Sequence, residues 1–255
     1  MANTKFEYVK LFEQDDALLQ QCWIVVRLDG KGFTKFTEVH GFEKPHDERG
    51  LGLMNAAAVA VMKEFPDIRV AFGESDEYSF VFHKDAVLYG RRASKIISLI
   101  TSCFSVSYVR MWSSFFPDTP LEKNPLFDGR VVLYPNLESL RDYLSWRQAD
   151  THINCQYNTC YWMLIKEGKS REEVQKMLRG TLTADKNEIM FQRGVNYNTL
   201  PAMFRKGSVV VWAEMVVEQH RESGKVVQKS VKKPQVFHED IIGDTFWKKY
   251  PHVLQ

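Results

Sequence analysis

Apolar positions recur along this chain with two periods, and the places where the period changes mark its elements. Cys22–Leu28 is an almost unbroken apolar run interrupted only by Arg27, the pattern of a central strand covered on both faces. Between Arg49 and Phe65, Leu51, Leu53, Met54, Ala57, Ala58, Val61 and Met62 follow helical spacing until Pro66 stops the run. Ile68, Val70, Ala71 and Phe72 then lead into a polar turn, Gly73-Glu-Ser-Asp76, followed by the alternating Tyr78, Phe80 and Phe82. Two such runs joined by a glycine-containing turn predict a β-hairpin. Arg91–Trp112 predicts a long helix through Ile96, Ile97, Ile100, Phe104 and Tyr108, and Phe127–Tyr134 another strand. With a short helix somewhere in 5–20, the order is β-α-β-β-α-β. Polymerase palms, nucleotidyl cyclases and RNA-binding modules share that plan, so it does not by itself choose a function.

The texture changes at Pro135-Asn136. Asn136 can cap a helix over Leu137–Asp150, and a second helix is expected over Thr151–Lys166. Ser170-Arg-Glu-Glu173 reads as a capping box for a third helix ending at Gly180, and Thr183 opens a fourth through Phe191. Gly207–Val217 predicts a strand paired with Lys225–Lys229 across a Glu222-Ser-Gly-Lys turn. The expected fold class is α+β. A catalytic half with the β-α-β-β-α-β plan spans 5–135, and a mostly helical half carrying a small β-hairpin spans 136–255.

Composition changes this picture little. At 255 residues with a net charge of +2, the chain can bury a sizeable core and neither requires nor excludes a nucleic-acid partner. Cys22, Cys103, Cys155 and Cys160 lack C-x-x-C spacing and read as reduced thiols, as expected in the cytoplasm or nucleus. His152, Cys155 and Cys160 lie close together, but no second ligand pair accompanies them, which argues against structural zinc. No apolar run of about 18 residues predicts a membrane span, and the N-terminus has no apolar signal core.

The chemistry is expected where strands stop. Asp29 ends the first strand, and Glu74, Asp76 and Glu77 crowd the hairpin tip. Like charges packed together are costly unless a cation offsets them. Two carboxylates at neighbouring strand ends can hold Mg²⁺ against a triphosphate. Each motif alone has an ordinary reading as a turn or a solvated tip; the pair is the stronger signal. Gly30 and Gly32 in Asp29-Gly-Lys-Gly-Phe-Thr34 would let backbone amides approach an anion, although the spacing is not that of a Walker A loop. Arg92 and Lys95 share a helix face at the end where the dipole disfavours cations, so they are either solvated or bind phosphate. His152, Asn154, Asn158 and Lys186 are polar groups among apolar helices, open to reading as caps or as contacts to unpaired bases.

These stretches resemble a known family. Arg27-Leu-Asp-Gly-Lys-Gly-Phe33, Lys44-Pro-His-Asp47, Gly73-Glu-Ser-Asp-Glu-Tyr-Ser-Phe80 and Arg91-Arg-Ala-Ser-Lys95 resemble the tRNA-histidine guanylyltransferases. Tyr143-Leu-Ser-Trp-Arg-Gln-Ala-Asp-Thr-His-Ile-Asn154, Ala184-Asp-Lys-Asn-Glu188 and Asp240-Ile-Ile-Gly-Asp244 are similar to the eukaryotic form, and the likeness runs over essentially the whole chain. It implies a palm-like catalytic half and addition of guanylate to the 5′ end of tRNA-His in the 3′→5′ direction. ATP would adenylate the 5′-monophosphate, the 3′-hydroxyl of GTP would displace AMP, and pyrophosphate would then be removed. It also implies two Mg²⁺ ions, ATP and GTP as substrates, and a homotetramer.

Carried over by matching position, Asp29 and Asp76 would be catalytic metal ligands, with Gly30 contributing its carbonyl. Lys31, Gly32, Phe33, Thr34 and Ser75 would line nucleotide phosphates, together with Asp29, Gly30 and Asp76. Lys44, Asp47, Arg92 and Lys95 would position nucleotide or the tRNA 5′ end. Arg27, His152, Asn154, Lys186 and Asn196 would contact tRNA. Thr34, His46, Glu74 and Cys155 depart from the common family pattern. A template-dependent tRNA 5′-end repair polymerase, a nucleotide cyclase and a non-catalytic RNA-binding protein are the alternatives. The second half argues against the first two, and an RNA-binding module has no reason to keep Asp29 with Asp76.

Overall fold

A computed structural model describes residues 4–220 and 226–255. Its centre is β1 (Trp23–Gly30), whose side chains alternate between two cores. Ile24, Val26 and Leu28 enter one apolar cluster; Trp23 and Val25 enter the other. The first cluster is closed by α2 (Glu48–Glu64) and α3 (Ala93–Phe115), the helices expected from the 3.6-residue period. Between β1 and α2 lies a helix not expected from the sequence, α1 (Phe33–Val39). It is short and polar on its outer face, and is held by Phe33 and Phe36, which stack 4.8 Å apart in the core.

β2 (Ile68–Glu74) and β3 (Glu77–Phe82) form the expected hairpin, and β4 (Phe127–Tyr134) pairs with β1 on its other side. The second half differs from expectation in two respects. First, residues 137–166 form one helix, α4 (Leu137–Lys166), instead of two. No glycine or proline breaks it, and Thr151 bonds back to the Arg147 carbonyl at 2.9 Å, so its hydroxyl is satisfied within the helix. Leu140, Tyr143 and Leu144 pack on the sheet, whereas Cys160 and Leu164 form a separate cluster with α5 (Arg171–Leu178) and α6 (Thr183–Phe191). The Ser170 capping box is present at the start of α5.

Second, the late hairpin is not a small appendage. After a short α7 (Ala202–Lys206), β5 (Ser208–His220) pairs with β2 and β6 (Val226–Phe237) pairs with β5. All neighbours are antiparallel in one six-stranded sheet of order β4-β1-β3-β2-β5-β6. Lys232 and Lys233 lie on β6, in register with Glu214 and Ala213 of β5. The expected turn at 222–225 lies outside the described residues. A last helix, α8 (Asp244–Lys249), puts Phe246 and Trp247 into the α4-side core. The expected N-terminal helix is a 3₁₀ segment, Glu7–Phe12, with Leu11 and Phe12 exposed. Among the described residues no helix is long and apolar enough to cross a membrane.

Gly73 stands opposite Tyr78 in the hairpin, and a methyl group there would overlap the tyrosine ring. That ring is fully buried and its hydroxyl donates to Asn55 Oδ1 at 3.0 Å, so it has nowhere to swing. Gly73→Ala is expected to cost about 1–3 kcal/mol, the usual range for overpacking. Denaturant unfolding checks it; an unchanged midpoint would mean that the hairpin yields.

Candidate active site

Backbone pairing brings the two acidic motifs together. Asp29 lies in register with Glu77, and the Gly30 amide donates to the Asp76 carbonyl at 3.0 Å. A Cβ on Gly30 would sit 2.8 Å from Asp76 Oδ2 and strike the Phe33 ring, so glycine is what lets the Asp76 carboxylate lie over the end of β1. Ser75 takes a left-handed backbone, φ 49°, to make the tight turn, and its hydroxyl donates to Asp76 Oδ1 at 3.0 Å. Burial pushes the Asp76 carboxyl up, and the charge of Asp29 raises it further.

A divalent cation would relieve both effects. The donors are hard oxygens, as Mg²⁺ prefers, and Mg²⁺ is commonly held by one or two carboxylates plus substrate phosphates. Among the described residues no group of three or more His, Cys, Asp or Glu could hold a metal unaided. The residues thus fit Mg²⁺ shared with a polyphosphate better than a permanently caged ion.

The glycine loop is partly committed. Gly30 donates to Asp76, and the Lys31 amide donates to the Leu126 carbonyl at 2.8 Å. The amides left over are those of the first turn of α1, entered through Gly32 at φ 70°.

Beside this turn, between the two halves of the chain, lies a cavity of about 320 Å³. Ser75 and Asp76 border it with Thr34 from α1, and Asn154 and Asn158 enter from α4. Lys44 lines it too; its ammonium donates to Thr37 Oγ1 at 3.0 Å and burial lowers its pKa. Asp47, a further lining residue, caps α2. Burial pushes its carboxyl up, but donation from Arg49 and from the Glu43 amide outweighs this and the net shift is downward. Its oxygens accept from the Arg49 and Gly50 amides, the Glu43 amide and the Arg49 guanidinium, which suits it to holding the 43–49 segment in shape. His46 stacks on Phe204 of α7 at 4.8 Å between centroids, its Nε2 is buried without a partner, and burial lowers its pKa to about 4.

Other residues singled out from the sequence lie elsewhere. Arg92 starts α3 and pairs with Asp16 at 3.4 Å; Lys95 lies over the Tyr89 ring at 4.9 Å; neither lines the cavity. Arg27 sits on β1, its Nε 3.7 Å from Glu77 Oε2. Positions two apart on a helix point apart, so His152 leaves Asn154 and faces Tyr197, Nδ1 to hydroxyl 2.8 Å. The Lys186 ammonium is nearly buried and donates to the Thr181 carbonyl at 2.8 Å. Asn196 caps the 3₁₀ turn Tyr197–Thr199 and lines a second concavity with Asn187, Phe191 and Asn198.

Sequence reasoning missed Arg147. Its Nη1 donates to Glu74 Oε1 at 3.3 Å and to both Glu77 oxygens at 3.1 Å, and its Nη2 to Asp150 Oδ2 at 3.2 Å. The signal was available: Arg147 lies seven, four and three residues after Leu140, Tyr143 and Leu144, on the apolar stripe of α4. A cation on a buried stripe needs acidic partners. Burial raises Glu74 to about 7 despite the arginine.

A mixed sheet-and-helix fold with desolvated carboxylates at adjacent strand ends, opening on a cavity, defines a palm-like nucleotidyltransferase. The family described as tRNAHis guanylyltransferase matches residues 6–135, and its partner, the Thg1 C terminal domain, matches 138–243. A probable tRNA(His) guanylyltransferase of Dictyostelium discoideum is 55% identical over 100% of this chain and 99% of its own. The tRNA(His) guanylyltransferase of Neurospora crassa is 51% identical over 100% and 96%. The crystal structure of the Saccharomyces cerevisiae tRNA(His) guanylyltransferase superposes with TM-score 0.78 at 49% identity, covering 81% of this chain and 93% of that one. A bacterial tRNA(His) guanylyltransferase-like protein in complex with ATP shares the fold, with TM-score 0.72 at 21% identity over 97% and 96%. This chain belongs to the tRNA(His) guanylyltransferase family.

The buried Glu74 and the half-buried His46 are expected to give the stability opposing pH dependences. Glu74, raised from 4.5 to about 7, keeps a proton that the unfolded chain has lost, so its contribution is full in acid and fades as pH rises to 7. His46, lowered from 6.5 to about 4, does the reverse: its contribution is full above 6.5 and fades as pH falls toward 4. The two oppose each other. Without divalent ions, Glu74→Gln should make the melting temperature climb with pH from 4.5 to 6.5, and His46→Asn should make it fall from 5 to 7. Parallel profiles for both variants and the parent chain would show that neither shift is present.

Proposed function

We propose that this chain adds guanylate to the 5′ end of tRNA-His in the 3′→5′ direction, with ATP activating the 5′-monophosphate and GTP supplying the attacking 3′-hydroxyl. The observation that carries this reading is Asp76: its carboxylate is half-buried, raised by desolvation and by the charge of Asp29, and borders the cavity between the halves. Asp29, Asp76 and the Gly30 carbonyl would hold two Mg²⁺, which would supply neutralisation of phosphate charge and acidification of the attacking hydroxyl. The first turn of α1 and Ser75 orient the triphosphate, and Lys44 meets its charge from the opposite wall. Arg92 and Lys95 serve the tRNA 5′ end, and His152, Asn196 and Lys186 engage tRNA on the second half. Asn154, which lines the cavity, would contact tRNA at its reacting end. Pyrophosphate release follows at the same carboxylates. We further propose a homotetramer, which the exposed Phe6, Leu11 and Phe12 support as an apolar surface needing cover.

Asp29→Asn and Asp76→Asn should each abolish adenylation and guanylate transfer, by about 10²–10³ in rate or more. Incubation with tRNA-His, ATP, labelled GTP and Mg²⁺ checks this; near-normal turnover by either variant would remove the metal-ligand assignment.

Phosphate contacts position an RNA, and base contacts specify it. His152→Ala should therefore strongly lower transfer to tRNA-His with a 5′-monophosphate and equally with a ready-made 5′-triphosphate, since engagement and not adenylation is lost. A tRNA with an altered anticodon is the comparison. An equal loss on every tRNA, or loss at the adenylation step alone, would place His152 in folding or catalysis.

A further inference from the structure

Arg147 lies outside every role assigned above, yet it bonds to both stems of the turn that carries Asp76. Glu74 and Glu77 are register partners on either side of Ser75-Asp76. One Arg147 nitrogen bonds to both acids, and its second nitrogen is anchored on Asp150 of its own helix. The fork is deeply buried, with its side chain 7% exposed beside 6% for Glu74 and 15% for Glu77. The Trp146 ring covers it at 3.7 Å from centroid to guanidinium carbon. Arg27 on β1 completes the surroundings, its Nε 3.7 Å from Glu77 Oε2.

A turn holding Ser75 at positive φ and a desolvated Asp76 is not self-sustaining. Without the arginine, Glu74 and Glu77 lose the donor that ties both stems of the turn to α4. Only a planar fork with separate donors can grip two carboxylates on the turn and one on the helix at once. We propose that Arg147 is a positioning residue that presets the Asp76 carboxylate for Mg²⁺ by clamping the Glu74–Glu77 turn onto α4. The inference rests on the metal role given to Asp76 above. Side chains that orient metal ligands from behind typically contribute about 10–100-fold in metal affinity.

The test is direct binding of Mn²⁺, a paramagnetic stand-in for Mg²⁺, followed by electron paramagnetic resonance on the full chain with GTP and without tRNA. Leaving tRNA out excludes any RNA-binding role of α4 from the readout. Arg147→Met should weaken Mn²⁺ about 10-fold or more. Arg147→Lys, which keeps a charge at the site and protects the fold, should fall between Met and the parent. The Mg²⁺ half-saturation of transfer should rise in the same order. Parent-like Mn²⁺ affinity in Arg147→Lys together with parent-like affinity in any folded Arg147→Met would overturn the inference. Asp76→Asn is the control: Mn²⁺ binding as tight as in the parent would overturn the metal reading itself, and this inference with it.

Discussion

The molecule is organised around charge that has been taken out of water. Asp29, Glu74, Asp76, Glu77 and Asp150 lie about one sheet end, with Arg27 and Arg147 as the cations facing them. Burial raises Glu74, Asp76 and Glu77 alike. Buried ion pairs rarely add net stability over apolar packing, because desolvation offsets the attraction. An excess of acid in such a place has a rationale only if something positive joins it. On the proposed function, substrate-borne Mg²⁺ would meet that condition, and until then the Arg147 guanidinium holds Glu74 and Glu77.

The sheet makes this arrangement rigid. β1 and β3 end side by side, so Asp29 and the turn are fixed by ladder hydrogen bonds instead of loop packing. The second half is then attached twice. Strand β5 zips onto β2 beside the same turn, with Gly73 in register with Ser208. Helix α4 lies on the opposite face from α2 and α3, with the Tyr143 hydroxyl 2.6 Å from Ser79 Oγ. The second-half elements proposed to contact substrate are thereby indexed to the carboxylates.

Much of this was legible in the chain because the catalytic half obeys local rules. Periods of two and 3.6 located β1 to β4, α2 and α3, and the acids stood visibly where apolar runs stopped. The misses have identifiable causes. α1 is too short to show a period, and tertiary packing of Phe33 and Phe36 holds it. α4 was read as two helices because its apolar stripe changes partners at mid-length, from the sheet to α5 and α6, while its backbone continues. The late hairpin was placed as a small feature because pairing to β2 is a contact between distant segments that no local pattern encodes. Residue type alone also could not separate His152 from Asn154; only the helix phase of α4 sends one to Tyr197 and the other to the cavity.

The continuous α4 has a consequence for how the two halves work together. Its first part carries Arg147, which holds the acidic turn; two turns on, Asn154 lines the cavity; and the intervening His152 faces Tyr197, near the second concavity. A helix rises about 1.5 Å per residue, so these three contacts lie within roughly two turns of one rigid rod. Any shift of α4 along its axis moves all three together. Two helices meeting at residue 150 would let the part carrying His152 and Asn154 move while the arginine stayed in place. One helix does not. On the proposed function, the fit of RNA against the second half would therefore also be a condition on where the carboxylates stand, and substrate choice would be tied to the chemistry through α4 itself.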